Sequence, residues 1–121
     1  MSKRILVVED QEDNRRILRY LLTHAGYDLI EAVTGEEGVS LAETGRPDLI
    51  LMDIQLPGLD GYEATRRIKG NPALRQIPII VVTSYALSGD DVKAFEAGCD
   101  AYVTKPFNPR QLLAKIREYL P

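Results

Sequence analysis

The chain has 121 residues, of which 45% are hydrophobic and 27% charged, enough for one domain with a single core but not for two. Its formal net charge of −3 leaves no basic surface for a phosphate backbone, so direct nucleic-acid binding is not expected. Its single cysteine excludes an internal disulfide, and no apolar run approaches the roughly 20 residues of a membrane span. We therefore expect a cytoplasmic protein with one domain over residues 1–121 and no membrane partner.

Five short apolar runs alternate with longer segments in which apolar residues recur about every 3.6 positions. In chain order the runs are RILVVE, YDLIEAV, DLILMD, IPIIVVT and AYVTK. This alternation predicts five strands, each followed by a helix. The runs that end at Val8, Met52 and Val82 are solidly apolar, which is typical of strands covered on both faces, whereas the second and fifth runs contain polar residues, as edge strands do.

Capping residues and glycines mark the boundaries of the predicted helices. The predicted starts are at Thr34 with Glu37, Asp60 with Glu63, Ser88, and Asn108 before Pro109. The predicted stops are at Gly26, Gly45, Gly70 and Gly98. In the first helix one apolar face is expected from Ile17, Leu18, Leu21, Leu22 and Ala25, and in the last from Leu112, Leu113, Ile116 and Leu120.

These elements predict an α/β fold with a doubly wound parallel sheet. Strands one, three and four are expected inside the sheet, with strands two and five at its edges. Right-handed crossovers and helices on both faces then give the strand order 2-1-3-4-5, which is the flavodoxin-like arrangement with five helices. In such sheets ligands bind beyond the carboxyl ends of the strands, near the switch point between strands one and three.

Four of the predicted strands end on residues that can do chemistry. Glu9 and Asp10 follow strand one, Asp53 follows strand three, Thr83 ends strand four and Lys105 follows strand five. Three carboxylates and one ammonium total −2 in one crevice, where like charges repel in a low dielectric, and a divalent cation would neutralise the excess. Ligands that are all oxygen suit Mg²⁺ better than a metal that prefers sulfur or imidazole. The sequence therefore predicts a magnesium site at this edge of the sheet.

Motifs along the whole chain resemble the receiver domains of two-component response regulators. The matching motifs are VVED, LILMDIQLPGLDG, VVTS and VTKPF, in the order that the family has them. The resemblance implies a phosphoacceptor that takes its phosphoryl group from a phosphohistidine on a sensor histidine kinase or a histidine phosphotransfer protein, with Mg²⁺ as cofactor. Such a domain assists its own phosphorylation and dephosphorylation, so we do not expect an enzyme that acts on a separate substrate.

The resemblance also implies which residues accept the phosphoryl group and which hold the metal. Asp53 is the expected site of phosphorylation. Glu9 and Asp10 are expected to help hold Mg²⁺, together with Asp53 and the backbone carbonyl of Gln55. The rigid strand before Asp53 then has a purpose, because it fixes the carboxylate relative to the cation and the lysine.

Further roles implied by the resemblance concern signalling and the lifetime of the phosphorylated state. Thr83 is expected to bond the phosphoryl group, Lys105 to pair with it, and Tyr102 to occupy the aromatic switch position. Two positions beside the path of a hydrolysing water, Gln55 and Tyr85, are expected to control that lifetime. An alternative for Tyr85 is that it points away from the pocket and serves a partner surface.

Two other functions share some of these sequence features. A phosphohydrolase of the haloacid dehalogenase type also combines an aspartate nucleophile, Mg²⁺, a hydroxyl and a lysine. That family has its nucleophile on the first strand and a second Asp two residues later, where this chain has Gln55. A docking module that uses the fold without phosphorylation would be favoured if a site residue were missing, and none is.

The expected output is binding to a downstream protein target. No DNA-binding or enzymatic segment follows the fifth predicted helix, so we expect no output domain in this chain. A small protein that acts by binding a partner and a receiver cut from a larger protein are both compatible with that observation. The expected readout surface is formed by the fourth helix, the fifth strand and the fifth helix.

Overall fold

Strands and helices alternate along a computed structural model that describes residues 2–83 and 90–121. The strands are β1 (Arg4–Val8), β2 (Asp28–Ala32), β3 (Leu49–Met52), β4 (Ile79–Thr83) and β5 (Ala101–Thr104). The helices are α1 (Glu12–His24), α2 (Gly35–Gly45), α3 (Gly61–Gly70), α4 (Asp90–Ala97) and α5 (Pro109–Tyr119). The chain leaves β5 through a cis peptide bond between Lys105 and Pro106. No helix within the described ranges is long and apolar enough to cross a membrane.

The strands form one parallel sheet in the order β2-β1-β3-β4-β5, which confirms the predicted flavodoxin-like topology. The two strands with polar residues are the edges, as their composition indicated. Val8 at the end of β1 lies opposite Met52 at the end of β3, and Met52 lies opposite Val81 in β4. The residues that follow β1 and β3 therefore lie close together, at the carboxyl end of the parallel strands.

Two apolar cores cover the two faces of the sheet. One contains residues of α2, α3 and α4, among them Ala42, Ala64, Ile68 and Ala94. The other contains residues of α1 and α5, among them Leu18, Leu22, Leu112 and Ile116. Successive residues of β1 alternate between the cores, with Leu6 in the first and Val7 in the second. This double burial explains why β1, β3 and β4 are apolar except at Arg4, the exposed first residue of β1, and Thr83, the last residue of β4.

Three of the predicted helix caps are present. Thr34, Asp60 and Asn108 each accept a hydrogen bond on the side chain from a main-chain N–H in the first turn of α2, α3 and α5. The fourth predicted cap, Ser88, lies outside the described residues. Helix α1 begins after Gln11, whose side chain makes no capping bond.

The glycine stops act in two different ways. Gly26 and Gly98 have φ values of 94° and 109°, the left-handed conformation expected of a glycine after a helix. Helices α2 and α3 also end at the predicted Gly45 and Gly70, but neither glycine is left-handed. The left-handed residue at the end of α2 is the C-cap Arg46, which follows Gly45 and has a φ of 45°.

The predicted apolar face of α1 is only partly buried. Leu18 and Leu22 are in the core, one turn apart, and Leu21 packs against them. Ile17 is 55% exposed, so its assignment to this face was wrong. Adjacent positions on a helix differ by about 100° in direction, and the core side is taken by Leu18, which leaves Ile17 beside the sheet edge that carries the site.

Candidate functional site

The carboxyl ends of β1 and β3 bring three acidic side chains together. Glu9 follows β1 and is 2% exposed, and Asp53 follows β3 and is 7% exposed. Asp10 is partly exposed at the mouth. One carboxylate oxygen from each of the three residues lies within 4.8 Å of the others. The structure thus gathers three of the predicted site residues into one cluster.

Main-chain hydrogen bonds fix the two buried acids beyond the ends of their strands. The Asp53 N–H donates to the carbonyl of Val8 at 3.0 Å, and the Glu9 N–H donates to the carbonyl of Ala32 at 3.0 Å. Helix α3 begins close behind, because a Cβ on Gly61 would lie 2.0 Å from the Asp53 carbonyl oxygen. A glycine is therefore required there, and the backbone at Asp53 is held from both sides.

Lys105 reaches from the end of β5 into the acidic cluster. Its Nζ donates to Glu9 Oε1 at 2.5 Å and to Asp53 Oδ2 at 3.1 Å. Its backbone N–H donates to the Thr83 carbonyl at 2.8 Å, which ties the base of the lysine to the end of β4. The ammonium therefore bridges two of the three carboxylates and leaves one without this partner.

Burial and charge shift the pKa values of this pair. Burial raises the pKa of Glu9 above its ordinary value, and this effect exceeds the lowering by the hydrogen bond from Lys105. Burial alone would lower the pKa of Lys105, but the hydrogen bond to Glu9 and the charge of Asp53 together raise it. Lys105 is therefore an ammonium at neutral pH, poised beside the Asp53 carboxylate.

The donor set of the cluster fits a hard divalent cation. Its three candidate ligands are carboxylates, and neither imidazole nor thiolate belongs to the cluster. Mg²⁺ prefers such oxygen ligands and keeps several water molecules, which suits a cluster with one partly exposed acid. The backbone N–H of Gln55 donates to Asp53 Oδ1 at 3.2 Å, and its side chain is exposed. Gln55 thus lies at the cluster, as its predicted carbonyl ligation requires.

Thr83 and Tyr102 lie on adjacent strands on one face of the sheet. Thr83 is fully buried at the end of β4, and Tyr102 pairs with Val81, two residues earlier on the same strand. Because paired residues in a sheet point to the same side, the two side chains are diagonal neighbours on that face. Tyr102 is partly buried against the core beneath α2, α3 and α4. Tyr85, the predicted gate, lies outside the described residues.

A groove of about 440 Å³ opens beside Lys105. It is lined by Asn14, Ile17, Leu18, Lys105, Pro106, Phe107 and Pro109. The lining is mostly apolar and comes from α1, from the segment that follows β5, and from the first residue of α5. The exposed Ile17 is therefore part of an apolar groove next to the site.

Arg15, which was not among the predicted site residues, contacts the acidic loop. Arg15 on α1 donates from Nη1 to the main-chain oxygen of Glu9 at 2.8 Å, and its side chain is only 12% exposed. The available signal was an arginine three residues after Glu12, the spacing of a helical ion pair. That spacing does not indicate that the guanidinium also turns back over the loop.

Comparison with known proteins places these features in a family. The chain matches the response regulator receiver domain family over residues 5–117. It is 42% identical over 120 residues to the polar-differentiation response regulator DivK of Brucella anthropi, an alignment that covers 99% of this chain and 98% of that protein.

Solved structures of receiver domains have the same fold. The receiver domain of the sensor histidine kinase PA1611 from Pseudomonas aeruginosa, solved with a magnesium ion coordinated in its active site cleft, has a TM-score of 0.92 and 38% identity. That match covers 99% of this chain and 98% of the other. A CheY-like response regulator receiver domain protein from Methanospirillum hungatei has a TM-score of 0.92 and 37% identity, with 99% and 94% covered.

Proposed function

Because this chain belongs to the response regulator receiver domain family of two-component signalling, we propose that it is a phosphoacceptor in a phosphorelay. Asp53 takes the phosphoryl group from a phosphohistidine on a sensor histidine kinase or a histidine phosphotransfer protein in the cytoplasm. The observation that carries the proposal is the buried Asp53 carboxylate, hydrogen-bonded to Lys105 within a cluster of three acids. The domain acts on itself and has no separate substrate.

In the proposed reaction an oxygen of Asp53 attacks the phosphorus atom. A new O–P bond forms, the N–P bond of the phosphohistidine breaks, and the imidazole nitrogen takes the bonding electron pair. The Gln55 N–H on Oδ1 and Lys105 on Oδ2 orient the carboxylate for this attack. The Lys105 ammonium then stabilises the charge on the transferring oxygens, and the Thr83 hydroxyl bonds one of them.

The residues that would hold Mg²⁺ are Glu9, Asp10, Asp53 and the carbonyl of Gln55. When bound, the cation supplies positive charge that offsets the carboxylates and the phosphoryl oxygens. Without it the cluster carries three negative charges against the single positive charge of Lys105. Gln55 and Tyr85 are further proposed to control the access of water to the acyl phosphate, and hence its lifetime.

The groove beside Lys105 is the proposed docking surface for the phosphodonor protein. A donor imidazole has to reach Asp53, and Lys105, which contacts Asp53, also lines the groove. Ile17 offers exposed apolar area on one side, and Phe107 lies on the other. An apolar anchor at this position would hold the donor histidine in line with the carboxylate.

The proposed output is a change on the surface made by α4, β5 and α5, read by a downstream protein target. A phosphoryl group on Asp53 gives Thr83 a strong acceptor, and Tyr102 then moves into the space that Thr83 leaves. The phosphoryl group favours this state only through its different contacts in the two states. Val92 and Phe95 on α4 are 53% and 50% exposed, which supports a role of this surface in binding.

Incubation with acetyl phosphate and Mg²⁺, followed by intact mass measurement, tests the proposed function. The protein is expected to gain one phosphoryl group, and Asp53→Asn is expected to gain none because an amide is a far weaker nucleophile. Release of phosphate in large excess over protein, with no phosphorylated form of the protein detected, would indicate a hydrolase. A protein that neither gains a phosphoryl group nor releases phosphate would be a docking module. Either of these two results would contradict the proposal.

A further inference from the structure

Arg15 joins three separate parts of the protein through one guanidinium group. Its Nη1 donates to the main-chain oxygen of Glu9 at 2.8 Å, in the loop between β1 and α1. Its Nη2 donates to the carboxylate of Glu12 in the first turn of α1. Its Nε lies 3.5 Å from Oε1 of Glu31 on the edge strand β2. The Arg15 side chain is 12% exposed, and its contacts with Glu9 and Glu31 are partly buried, whereas Glu12 is 53% exposed.

We propose that Arg15 is a positioning residue for the divalent metal site, which it supports by fixing the peptide between Glu9 and Asp10. The inference rests on the proposed function, since the metal is part of it. Arg15 touches neither the cation nor the phosphoryl group in this account. It acts only through the backbone that carries two of the three carboxylates.

The acidic loop needs such support because its carboxylates repel one another. Their closest oxygens lie within 4.8 Å, and Lys105 bonds only Glu9 and Asp53. Across residues 2–83 and 90–121 no hydrogen bond or ion pair restrains the side chain of Asp10. Without other restraint, repulsion would turn Asp10 outward into water. Its position can therefore be set only through its backbone.

The contact with Arg15 acts on that backbone directly. A peptide unit is planar, so the direction of the Glu9 carbonyl also sets the direction in which the chain enters Asp10. On the other side of Glu9, its N–H is held by the carbonyl of Ala32 at 3.0 Å. With both bonds in place, the two peptide groups that flank Glu9 are fixed. They in turn determine the position of the Asp10 backbone.

The guanidinium is itself held by acids on two elements. Glu31 receives two hydrogen bonds of 2.7 Å from Nε and Nη2 of Arg19, and this hydrogen bonding is the main cause that lowers the pKa of Glu31. Glu31 therefore stays a carboxylate at neutral pH and keeps a charge beside Arg15. A lysine has a single ammonium and cannot contact Glu9, Glu12 and Glu31 with the same planar fork.

The direction in which Mg²⁺ affinity changes distinguishes this positioning role from a simple effect of charge. Arg15→Gln removes a positive charge near a cation site, and on Coulomb's law alone it should tighten Mg²⁺ binding. Loss of a positioning contact should instead weaken it, by about tenfold, as is typical for residues that orient metal ligands. The two explanations therefore predict opposite changes.

The test is the Mg²⁺ dissociation constant of the unphosphorylated protein, measured by isothermal titration calorimetry. Arg15→Gln should raise the constant about tenfold and Arg15→Lys by a smaller factor, since a lysine can still donate to the Glu9 carbonyl. Arg19→Gln is the matched control: it loses the same charge on the same helix and both hydrogen bonds to Glu31, but no contact to the loop. It should stay within about twofold of the wild-type constant.

Amide NMR shifts of Asp10 and Gln11 in the metal-free protein provide a second readout. They should move in Arg15→Gln and remain in place in Arg19→Gln. Unchanged or tighter Mg²⁺ binding in Arg15→Gln, or equal weakening in Arg19→Gln, would overturn the inference and leave the proposed function standing. If the wild-type protein binds no Mg²⁺, the proposed metal site itself is wrong, and the inference falls with it.

Discussion

Replacing Asp10 by asparagine should make the metal-free protein more stable. Asp10 repels Glu9 and Asp53 across distances of up to 4.8 Å, and the charge of Lys105, which pairs with those two acids, offsets part of this repulsion. At an effective dielectric constant of about 20, each such pair contributes about 3.5 kcal/mol. Two repulsions and one attraction leave about one repulsion uncompensated. Because Asp10 is partly exposed, water screens this further, and we expect a gain of about 1–2 kcal/mol in the free energy of unfolding.

Magnesium should reverse part of this difference. A ligand that binds only the folded state stabilises it by about 2.7 kcal/mol at a hundred times its dissociation constant. The wild-type protein should show this gain, whereas Asp10→Asn lacks one of the proposed ligands and should gain less. The assay is urea unfolding followed by far-UV circular dichroism, first in EDTA and then in excess MgCl₂.

The matched control for Asp10→Asn is Asp13→Asn. Asp13 is an exposed acid in the first turn of α1, outside the cluster, so the same change of charge should alter stability by less than about 0.5 kcal/mol. If Asp10→Asn is less stable than wild type in EDTA, the carboxylates do not repel as described. If magnesium stabilises Asp10→Asn as much as it stabilises the wild-type protein, Asp10 is not a ligand.

Three further predictions concern signalling, docking and the single thiol. Thr83→Ala should still accept a phosphoryl group but lose most of the change in the NMR signals of Tyr102, and an undiminished change would refute the coupling. Ile17→Asp should slow transfer from a phosphohistidine protein by about tenfold and leave labelling by acetyl phosphate unchanged, because Ile17 lines the groove and not the carboxylate site. Equal slowing with both donors would contradict docking there. Burial, with the nearby charge of Asp100, raises the pKa of Cys99 from 9.0 to about 11, so a thiol reagent at pH 8 should label folded protein at least about a hundredfold more slowly than unfolded protein. The folded rate should rise with pH up to about 11, and similar rates in both states would show that the thiol is accessible and unshifted.

The fold was predictable because each level of the sequence favours the same arrangement. The solid apolar runs of β1, β3 and β4 require cover on both faces, and the polar residues of β2 and β5 fit only at an edge. The caps at Thr34, Asp60 and Asn108 depend only on neighbouring residues in the chain, so the structure contains them as predicted. Parallel strands collect their carboxyl ends at one edge, and this geometry alone gathers the acids and the lysine.

The features that were missed depend on three-dimensional contacts that the local pattern does not contain. Ile17 and Leu18 are both apolar neighbours, and only the packing of α1 decides which of them turns to the core. Arg46 takes the left-handed conformation although a glycine precedes it, because α2 extends through Gly45. Arg15 reaches Glu9 and Glu31 across a loop and a strand, a span that helical spacing does not encode.

The most direct measurement of the central claim is the chemical identification of the phosphorylated residue. Protein treated with acetyl phosphate and Mg²⁺ is reduced with borohydride, which converts the carboxyl carbon of an acyl phosphate to an alcohol, and its peptides are mapped by mass spectrometry. We predict homoserine at position 53 in the wild-type protein and no reduced carboxyl group in Asp53→Asn. Reduction at any other carboxyl group, or none in protein known to carry phosphate, would contradict the assignment of Asp53 as the phosphoacceptor.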